Sequence, residues 1–521
     1  MGKRNQYLML YLASCLFLIS HSQNTSSIAS KHHCLPDQSS ALLQLKQEFE
    51  EGLPSDPLVY PKMKSWKANT DCCSWDGVTC NTKTGQVVGL NLSSSWLSGT
   101  LSPNSSLFGL HHLQKLNLSK NDFSFSTIPS GFSQLVRLSH LDLSYSNFAG
   151  QIPSEISWLT NLISLDLSNF DVSLKGKDLE AISQNMTNMR ELHLDHVNIS
   201  STVPQSLIQA IVLSPNELLT GFLPEFYSGS NFSSSLSVLN MRGNKIQGNL
   251  PDTFTKGSSL KTLDFSRNQI HGKIPRSLVN CRMLEVLNLE NNNVIDTFPF
   301  WLESLPELQI LILRANGFYG PIWGHDHTGF GFSKLRVIDL SYNNFSGKIP
   351  SEYFKTWNAM LMVHGRDKSQ PEYMEDPSAY YKDSITVMNK GVEMEFVKIL
   401  TIFTSIDLSN NGFHGEIPDS VGTLKDLIVL NLSSNNFIGR IPSSLGNLIE
   451  LESLDLSRNK LLGEIPQHLT SLTFLAYLNL SDNQLTGPIP QGRQFGTFEN
   501  SSFEGNLGLC GPPFSKKCKN K

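Results

Sequence analysis

The sequence predicts an α/β solenoid, a curved right-handed superhelix with a parallel sheet on its concave face and a disulfide-bonded cap at each end. The main observation is a phrase, LxxLxLxxNxLxGxIP, that returns about every 24 residues along the 521-residue chain. Beyond residue 30, every cysteine except Cys281 lies near one end. In addition, the copies at Ile338 and Ile406 are 68 residues apart. Such a repeat decides the domain count, because each turn packs only on its neighbours.

The first predicted element is a secretory signal peptide over residues 1–30. Lys3 and Arg4 precede an apolar run at 7–20, and small polar residues follow it. The run is shorter than the ~20 residues that a membrane helix requires, and no later stretch is long and apolar enough to replace it. We therefore expect a secreted protein of the extracellular space (the apoplast), with no membrane span in this chain.

The second predicted element is an N-terminal cap over residues 31–86. Asp37 and Ser39 are candidate N-caps of a helix with its leucines on one side. The motif "DCCSWDGVTC" at 71–80 follows that helix.

The cysteines at the two chain ends indicate disulfides, as is usual in secreted proteins. A zinc site is disfavoured, because no second cysteine pair or matched histidines accompany them. Adjacent Cys72 and Cys73 are poorly placed to bond to each other. We predict three bonds: Cys34–Cys72, Cys73–Cys80 and Cys510–Cys518. Cys281, between two repeats, is predicted to be a buried free thiol.

The third predicted element is the repeat array, over 87–351 and again over 400–490. The LxL alternation makes a short strand with both leucines inward. The asparagine turns inward and pairs backbone groups of adjacent turns, and glycine and proline then bend the chain. This is the leucine-rich repeat. Its copies start at Leu90, Leu116, Leu141, Leu165, Leu192, Leu239, Leu263, Leu287, Leu311, Ile338, Ile406, Leu430, Leu454 and Leu478.

One part of the array departs from the pattern. Ser146, Phe170 and Val197 stand where the asparagine is expected, and a distorted copy begins at Ile211. We therefore predict that the asparagine ladder fails at these turns and that the solenoid is most irregular across 145–225.

The fourth predicted element is an island insertion over 352–399, followed by four more repeats and a C-terminal cap over 491–521. The island is polar and lacks leucine periodicity, so it must loop out or pack its own strands across the gap. "SITVMNKGVEMEFV" at 384–397 predicts a hairpin that turns at Asn389-Lys390-Gly391. Insertions of this length are usually functional or disordered. We expect a binding role for this one.

These motifs together carry a family resemblance. The C…ALLxxK helix, DCCxWxGVxC, the LxGxIP repeat and the FxGNxGLCGPP end motif resemble the ectodomains of plant leucine-rich-repeat receptor-like proteins, in the class of the tomato leaf-mould resistance proteins. The resemblance covers essentially the whole mature chain. It implies a non-catalytic module that binds a peptide or protein ligand in immunity or development and signals only through partner kinases.

The resemblance also gives the island a role. Receptors of this family carry an island before their last four repeats, and it is associated with ligand and co-receptor-kinase contact. Tyr381, Lys390 and Gly391 match the family's Tyr-x8-Lys-Gly pattern. The family's acidic spacer, membrane helix and short tail do not follow the C-terminal cap here. The resemblance therefore implies a plasma-membrane location only for a longer form with such a helix.

Two alternatives remain beside the receptor hypothesis. One is a secreted inhibitor of a cell-wall-degrading enzyme, similar to polygalacturonase-inhibiting proteins, which typically lack an island. The other is a truncated receptor copy. No kinase, hydrolase or zinc-protease motif is present, so we expect no enzyme and no cofactor. The formal net charge of −5 argues against a nucleic-acid partner. "GHDHTGF" at 324–330 lacks a third ligand, so no metal site is expected.

Sequons and outward strand residues suggest where a ligand binds. Concave-face sequons occur at both ends of the array and are absent from its middle. There the outward residues are large or charged, of the kinds enriched in binding hot spots. We predict a ligand surface from about Leu192 to Ile338, touching the island, formed by His193, Asp195, His196, Arg242, Arg267, Glu290, Ile312, Arg314 and Tyr342. The predicted glycosylation sites are Asn91, Asn104, Asn117, Asn185, Asn198, Asn231, Asn344, Asn431, Asn479 and Asn500, beside Asn24 in the leader.

Overall fold

The computed structural model describes residues 33–51, 60–169, 171–189, 191–194, 197–199, 216–222, 237–322, 331–361, 374, 384–396, 399–492 and 494–518. Within these ranges, no helix is long and apolar enough to cross a membrane. Several predictions fall outside them: the signal peptide, the copy at Ile211, the histidines of 324–330, and Asp195, His196, Asn231 and Tyr381.

The N-terminal cap packs a helix, Pro36–Gln47, against the first turns of the solenoid. Its N-cap is Leu35 and its first residue is Pro36, so the prediction of Asp37 or Ser39 as N-cap is wrong. Proline suits this position because its missing N–H has no helical partner there. Gln38 is buried, and its Oε1 accepts a hydrogen bond from the backbone N–H of Val87 at 2.6 Å. The cap is thereby tied to the first strand of the sheet.

The three disulfides join the cysteine pairs expected from the sequence. Their Cα–Cα distances are 5.5 Å for Cys34–Cys72, 5.4 Å for Cys73–Cys80 and 5.0 Å for Cys510–Cys518. Cys281 is free and fully buried, and burial raises the pKa of its thiol to about 11.

The concave face is a parallel sheet in two segments. Within the described residues, it is interrupted between His193 and Val238. The N-terminal segment comprises Val87–Asn91, Lys115–Asn117, His140–Asp142, Ser164–Asp166 and Glu191–His193, with Val78–Cys80 antiparallel at its edge. The C-terminal segment comprises Val238–Asn240, Thr262–Asp264, Val286–Asn288, Ile310–Ile312, Val337–Asp339, Ser405–Asp407, Val429–Asn431, Ser453–Asp455 and Tyr477–Asn479.

The remaining elements are the cap helix and the elements on the flank and back of the turns. Three α-helices are described: Pro36–Gln47, Gly176–Asn185 and Tyr353–Thr356. Short flanking strands include Ala149–Gln151, Asp171–Ser173, Asn216–Phe222, Asn244–Asn249, Gln269–Gly272, Asn293–Val294, Tyr319–Gly320, Asn344–Gly347, Gly412–Glu416, Asn436–Ile438, Leu462–Gly463, Gln484–Pro488 and Gly508–Cys510. The backs are 3-10 turns such as Ser106–Gly109, Ser130–Gln134, Ser154–Trp158, Arg276–Asn280, Phe300–Ser304, Asp419–Thr423, Ser443–Asn447 and Gln467–Ser471.

The asparagine ladder joins successive turns from the inside. Asn268 Nδ2 donates to the carbonyls of Met241 and Phe265 at 2.7 and 3.0 Å. Its Oδ1 accepts from the N–H of Ile246 at 3.1 Å. Buried backbone groups that would otherwise be unpaired are thus satisfied. The same arrangement recurs at Asn292, Asn316, Asn343, Asn411, Asn435, Asn459, Asn483 and Asn506.

The ladder continues at two turns where it was predicted to fail. Asn169, one residue before Phe170, donates to the Leu143 carbonyl and accepts from the N–H of Ser146, both at 2.9 Å. Ser146 Oγ donates to the Leu118 carbonyl at 2.8 Å. The predicted breaks at Ser146 and Phe170 are therefore wrong, because the Ser146 hydroxyl donates the bond to the preceding turn and Asn169, one residue before Phe170, both donates and accepts. At Val197 the buried side chain is apolar and cannot bond in this way.

The island leaves and re-enters the array without a gap in the sheet. Val337–Asp339 pairs directly, in parallel, with Ser405–Asp407, so Ile338 lies opposite Ile406. A row of phenylalanines crosses the same junction in the core, with Phe345 and Phe413 ring centroids 6.2 Å apart. The flanking turns therefore stack as if the insertion were absent.

Candidate ligand-binding site on the concave face

The island forms the predicted hairpin, and the hairpin folds back onto the concave face. Its strands are Ile385–Asn389 and Val392–Phe396, in antiparallel register. The first strand is largely buried, and Val392–Glu395 of the second is exposed. The hairpin therefore lies with one strand against the sheet and the other towards solvent.

Apolar contacts hold the hairpin down as a second, smaller core. Its members from the hairpin side are Ile385 and Val387, both almost fully buried. The sheet contributes outward-facing side chains of neighbouring strands, a position that is usually polar in this repeat. The residues of this core are Val286, Ile310, Ile312, Val337, Ile385, Val387, Ile399, Phe403 and Val429.

Two ion pairs fasten the exposed strand of the hairpin. Arg242 lies 3.1 Å from the Glu395 carboxylate and donates to Ser384 Oγ at 3.1 Å. Arg314 lies 3.0 Å from the Glu393 carboxylate, and its guanidinium stands over the Tyr342 ring at 5.5 Å. Both arginine side chains are only 10–13% exposed, so these are partly desolvated contacts.

The hairpin tip contacts the last repeats. Lys390 and Gly391 have φ of 54° and 74°, as the tight hairpin turn requires. The Lys390 N–H donates to Ser453 Oγ at 3.2 Å, and its Nζ lies 2.7 Å from the Glu452 carboxylate. A Cβ on Gly391 would lie 2.6 Å from the Tyr477 ring. Glycine thus permits both the turn and the close approach.

The hairpin buries several of the residues that were predicted to contact a ligand. Arg242, Glu290 and Ile312 are 8%, 1% and 0% exposed, so the expectation that they face solvent is wrong. Arg314, at 13%, is largely withdrawn as well. The physical reason is that the chain's own hairpin covers this strip of the sheet.

Three described ligand candidates are not covered in this way. Tyr342 is 52% exposed, and Arg267 is also exposed. Both adopt positive φ, immediately before the ladder asparagine of their turns. His193 lies on the other sheet segment, in register with Asp166, and is half-buried. It does not join the group under the hairpin.

A groove opens between the hairpin tip and the last repeats. It has a volume of about 220 Å³. Met388 and Gly391 line it from the hairpin, and Tyr342, Arg458 and Tyr477 line it from the sheet. Hydroxyls and amides form its floor: Ser409, Asn410, Asn431, Ser433, Ser434, Ser453, Ser457, Asn479 and Ser481, with Val429 and Asp455. The sequence analysis did not select Arg458 and Tyr477. The outward positions around them are Ser and Asn, as in the repeat consensus, so the last repeats did not stand out as a binding surface.

Buried carboxylates lie beneath the hairpin. Burial raises the pKa of Asp264 and of Glu290. Burial, and then the neighbouring Asp407, raise the pKa of Asp339 to about 8. Burial opposes the charge on Arg314, yet Asp339, Glu290 and Glu393 raise its pKa. Arg242 and Arg314 are thus the cations nearest to a group of buried carboxyl groups.

The predicted glycosylation sites fall into two groups. Asn117, Asn431 and Asn479 are half-buried, and each Nδ2 donates to an aspartate on an adjacent strand. The other described sequon asparagines are exposed: Asn91, Asn104, Asn185, Asn198, Asn344 and Asn500. Glycosylation at all of them stays a prediction, and a ligand could occupy the groove only if Asn431 and Asn479, which line it, carry no glycan.

Comparison with known proteins supports the class of protein that this geometry defines. Residues 35–81 match the leucine rich repeat N-terminal domain. Leucine rich repeat models match 234–294 and seven further segments between 112 and 492. The ectodomain of the Arabidopsis thaliana receptor kinase GASSHO1/SCHENGEN3, in complex with CASPARIAN STRIP INTEGRITY FACTOR 2, is 27% identical with a TM-score of 0.53. That match covers 81% of this chain and 50% of the ectodomain. The chain therefore has the fold of plant leucine-rich-repeat ectodomains.

Proteins that are similar in sequence identify the family more closely than the fold does. Receptor-like protein 43 of Arabidopsis thaliana is 38% identical over 80% of this chain and 75% of its own length. Receptor-like protein 35 of the same plant is 45% identical over 80% of this chain. Receptor-like protein Cf-9 of Solanum pimpinellifolium is 34% identical over 47% of it. The chain belongs to the plant leucine-rich-repeat receptor-like proteins. It spans 39% of Receptor-like protein 35 and 26% of Cf-9.

Proposed function

We propose that this chain is the extracellular recognition module of a plant receptor-like protein, which binds a peptide or protein segment in immunity or development and signals through partner kinases. The observation that carries the proposal is the open groove between the hairpin tip and the last repeats. It is the described part of the concave face where the hairpin and sheet together leave space for an extended ligand.

The groove has the chemistry of a peptide site. Its floor of hydroxyls and amides offers hydrogen-bond donors and acceptors to a main chain, while Tyr342, Tyr477 and Arg458 supply side-chain anchors. Tyrosine and arginine are enriched at binding hot spots. The ligand-bound GASSHO1/SCHENGEN3 ectodomain, which has the same fold, supports this assignment.

A co-receptor kinase is the proposed second partner. Lys390 and Gly391, two residues of the family's island pattern, fasten the hairpin tip onto the repeats around Ser453 and Tyr477. A kinase ectodomain that contacts this tip would sense both the island and a ligand in the groove beside it.

The test uses the secreted chain and peptides from apoplastic fluid. Peptides that the wild type retains are identified by mass spectrometry and compared with those retained by Tyr342→Ala/Arg458→Ala. Both side chains are largely exposed, so the variant should keep its thermal stability. Trp158→Ala/Phe474→Ala, at exposed aromatic positions outside the groove, is the matched control. The proposal predicts peptides lost only by the groove variant, and equal retention by all three proteins would refute it.

A further inference from the structure

In the C-terminal segment of the sheet, one row of outward strand residues mostly alternates between aspartate and asparagine. Asn288 Nδ2 donates to Asp264 at 3.2 Å, and Asn431 Nδ2 donates to Asp407 at 2.9 Å. Asn479 repeats the contact with Asp455 at 3.3 Å. Each of these aspartates therefore has an amide neighbour that stabilises its carboxylate.

In this segment the alternation fails at Ile312 and where the island is inserted, and in the N-terminal segment two aspartates, Asp142 and Asp166, are also adjacent. Asp339, in the last strand before the insertion, lies between Ile312 and Asp407 in the sheet register. Adjacent strands are about 4.8 Å apart, so two buried carboxylates stand side by side. Like charges so placed repel, and interacting groups of this kind titrate as a pair. Burial and Asp407 raise the pKa of Asp339, and burial raises that of Asp407.

Arg314 connects this pair to the hairpin. The charges of Asp339 and Asp407 raise the pKa of Arg314, and its guanidinium lies 3.0 Å from the Glu393 carboxylate of the hairpin. Among the described residues, Glu290 also raises the pKa of Arg314, and the charged groups around Glu290 are Arg242, Arg267 and Asp264, with Glu395 of the hairpin paired to Arg242. The Arg314 guanidinium is thus close both to a buried pair of aspartates and to the exposed strand of the hairpin. The hairpin covers this strip of the sheet and is called the lid below.

We propose that Asp339, Asp407 and Arg314 form a pH-responsive latch that controls how firmly the hairpin is seated. While the acid pair holds a proton, Arg314 is available to Glu393 and the hairpin stays down. When the pair loses that proton, Arg314 is drawn to the second negative charge and its hold on Glu393 weakens.

The pKa difference between the closed and the open hairpin sets the direction in which closure changes with pH. The pKa of Asp339 is about 8 under the hairpin, against about 3.9 for an unperturbed aspartate. Opening the lid admits water and lowers this pKa, so closing takes up a proton. Closure is therefore strongest in mildly acidic solution and weakens as pH rises through about 8.

Hydrogen exchange of the full chain tests the latch. A two-stranded hairpin is marginal on its own, so amides of Ile385–Phe396 lose protection when it leaves the sheet. Between pH 5.5 and 8.5, their protection factors should fall by at least about tenfold, because one unit of pKa difference between closed and open states corresponds to that factor. The intrinsic rate of amide exchange also rises with pH, so each measured rate is divided by the intrinsic rate at that pH before protection factors are compared.

Three variants complete the experiment. Asp339→Asn restores the amide alternation and should keep the hairpin protected at both pH values. Glu393→Gln removes the carboxylate that Arg314 holds, so protection should be low at both. Asp166→Asn removes one member of the adjacent Asp142–Asp166 pair in the other sheet segment, outside the core under the hairpin, and should retain the wild-type pH dependence. Equal wild-type protection at the two pH values, or pH dependence that survives in Asp339→Asn, overturns the proposal.

Discussion

The two segments of the concave sheet differ in the residues that they turn outward. In the N-terminal segment, one register row reads Lys115, His140, Ser164 and Glu191. In the C-terminal segment, the corresponding row includes Val286, Ile310 and Val337. In the first row Lys115 is exposed, His140 and Glu191 are half-buried and the small Ser164 is buried, whereas the second row is apolar and covered by the hairpin. Outward strand residues therefore distinguish a surface that is left to water from one that receives a lid.

The largest expected effect comes from the lid core. Ile312 is fully buried, and Ile312→Ala should cost about 2–5 kcal/mol, the usual range for such a truncation. Denaturant unfolding followed by tryptophan fluorescence measures it. Lys115→Ala, at an exposed position of the other segment, should change stability by no more than about 0.5 kcal/mol. Equal effects of the two substitutions would mean that the hairpin is not seated on the sheet.

The two arginines predicted as ligand contacts provide a second comparison. Arg242→Ala removes the bonds to Ser384 and Glu395 and should cost about 1–3 kcal/mol, mostly from hydrogen bonds to a charged group. The ion pair itself adds little, because Glu395 is 54% exposed. Arg267→Ala, at an exposed site, should be nearly neutral. If thermal unfolding shifts equally for both, the hairpin contacts of Arg242 do not stabilise the fold.

The smallest expected effect concerns the hairpin tip. Gly391→Ala places a Cβ at φ +74° and 2.6 Å from the Tyr477 ring. Left-handed backbone costs an alanine about 1–2 kcal/mol, and the contact adds to it. Hydrogen exchange of Ile385–Phe396 should rise. Gly109→Ala meets open space and serves as the control. Unchanged exchange in Gly391→Ala would show that the tip does not rest on the repeats.

Much of the fold was predictable because its signals are local and periodic. The LxL alternation gave the strand positions, and the paired cysteines and the Lys390-Gly391 turn followed from short motifs. The asparagine ladder was harder to predict at Ser146 and Phe170. Ser146 donates a bond although it is not an asparagine, and at Phe170 the asparagine lies one residue early, at Asn169. The helix start at Pro36 was misplaced because two polar residues inside the first turn resemble caps.

The site was less predictable because it joins residues far apart in the chain. Nothing near Ile385 and Val387 indicates where they pack, and nothing near Ile310 and Ile312 indicates what covers them. Two sequence features had to be considered together to predict this contact. Consecutive repeats have apolar residues at outward positions, and the island contains an apolar hairpin that has no core of its own. Arg242 and Arg314 were misassigned for the same reason, since their partners are more than one repeat away in sequence.

The direct pairing of Val337–Asp339 with Ser405–Asp407 has a consequence for competition. Because the hairpin is covalently joined to both flanking turns, it returns to its strip of the sheet as an intramolecular event. Tethered segments act at effective concentrations on the order of millimolar. A free peptide directed at the covered strip must outcompete that resident segment, whereas one that uses the neighbouring groove faces no such rival. If the chain binds a peptide as proposed, the insertion would therefore favour peptides that bind in the groove over peptides that bind to the covered strip.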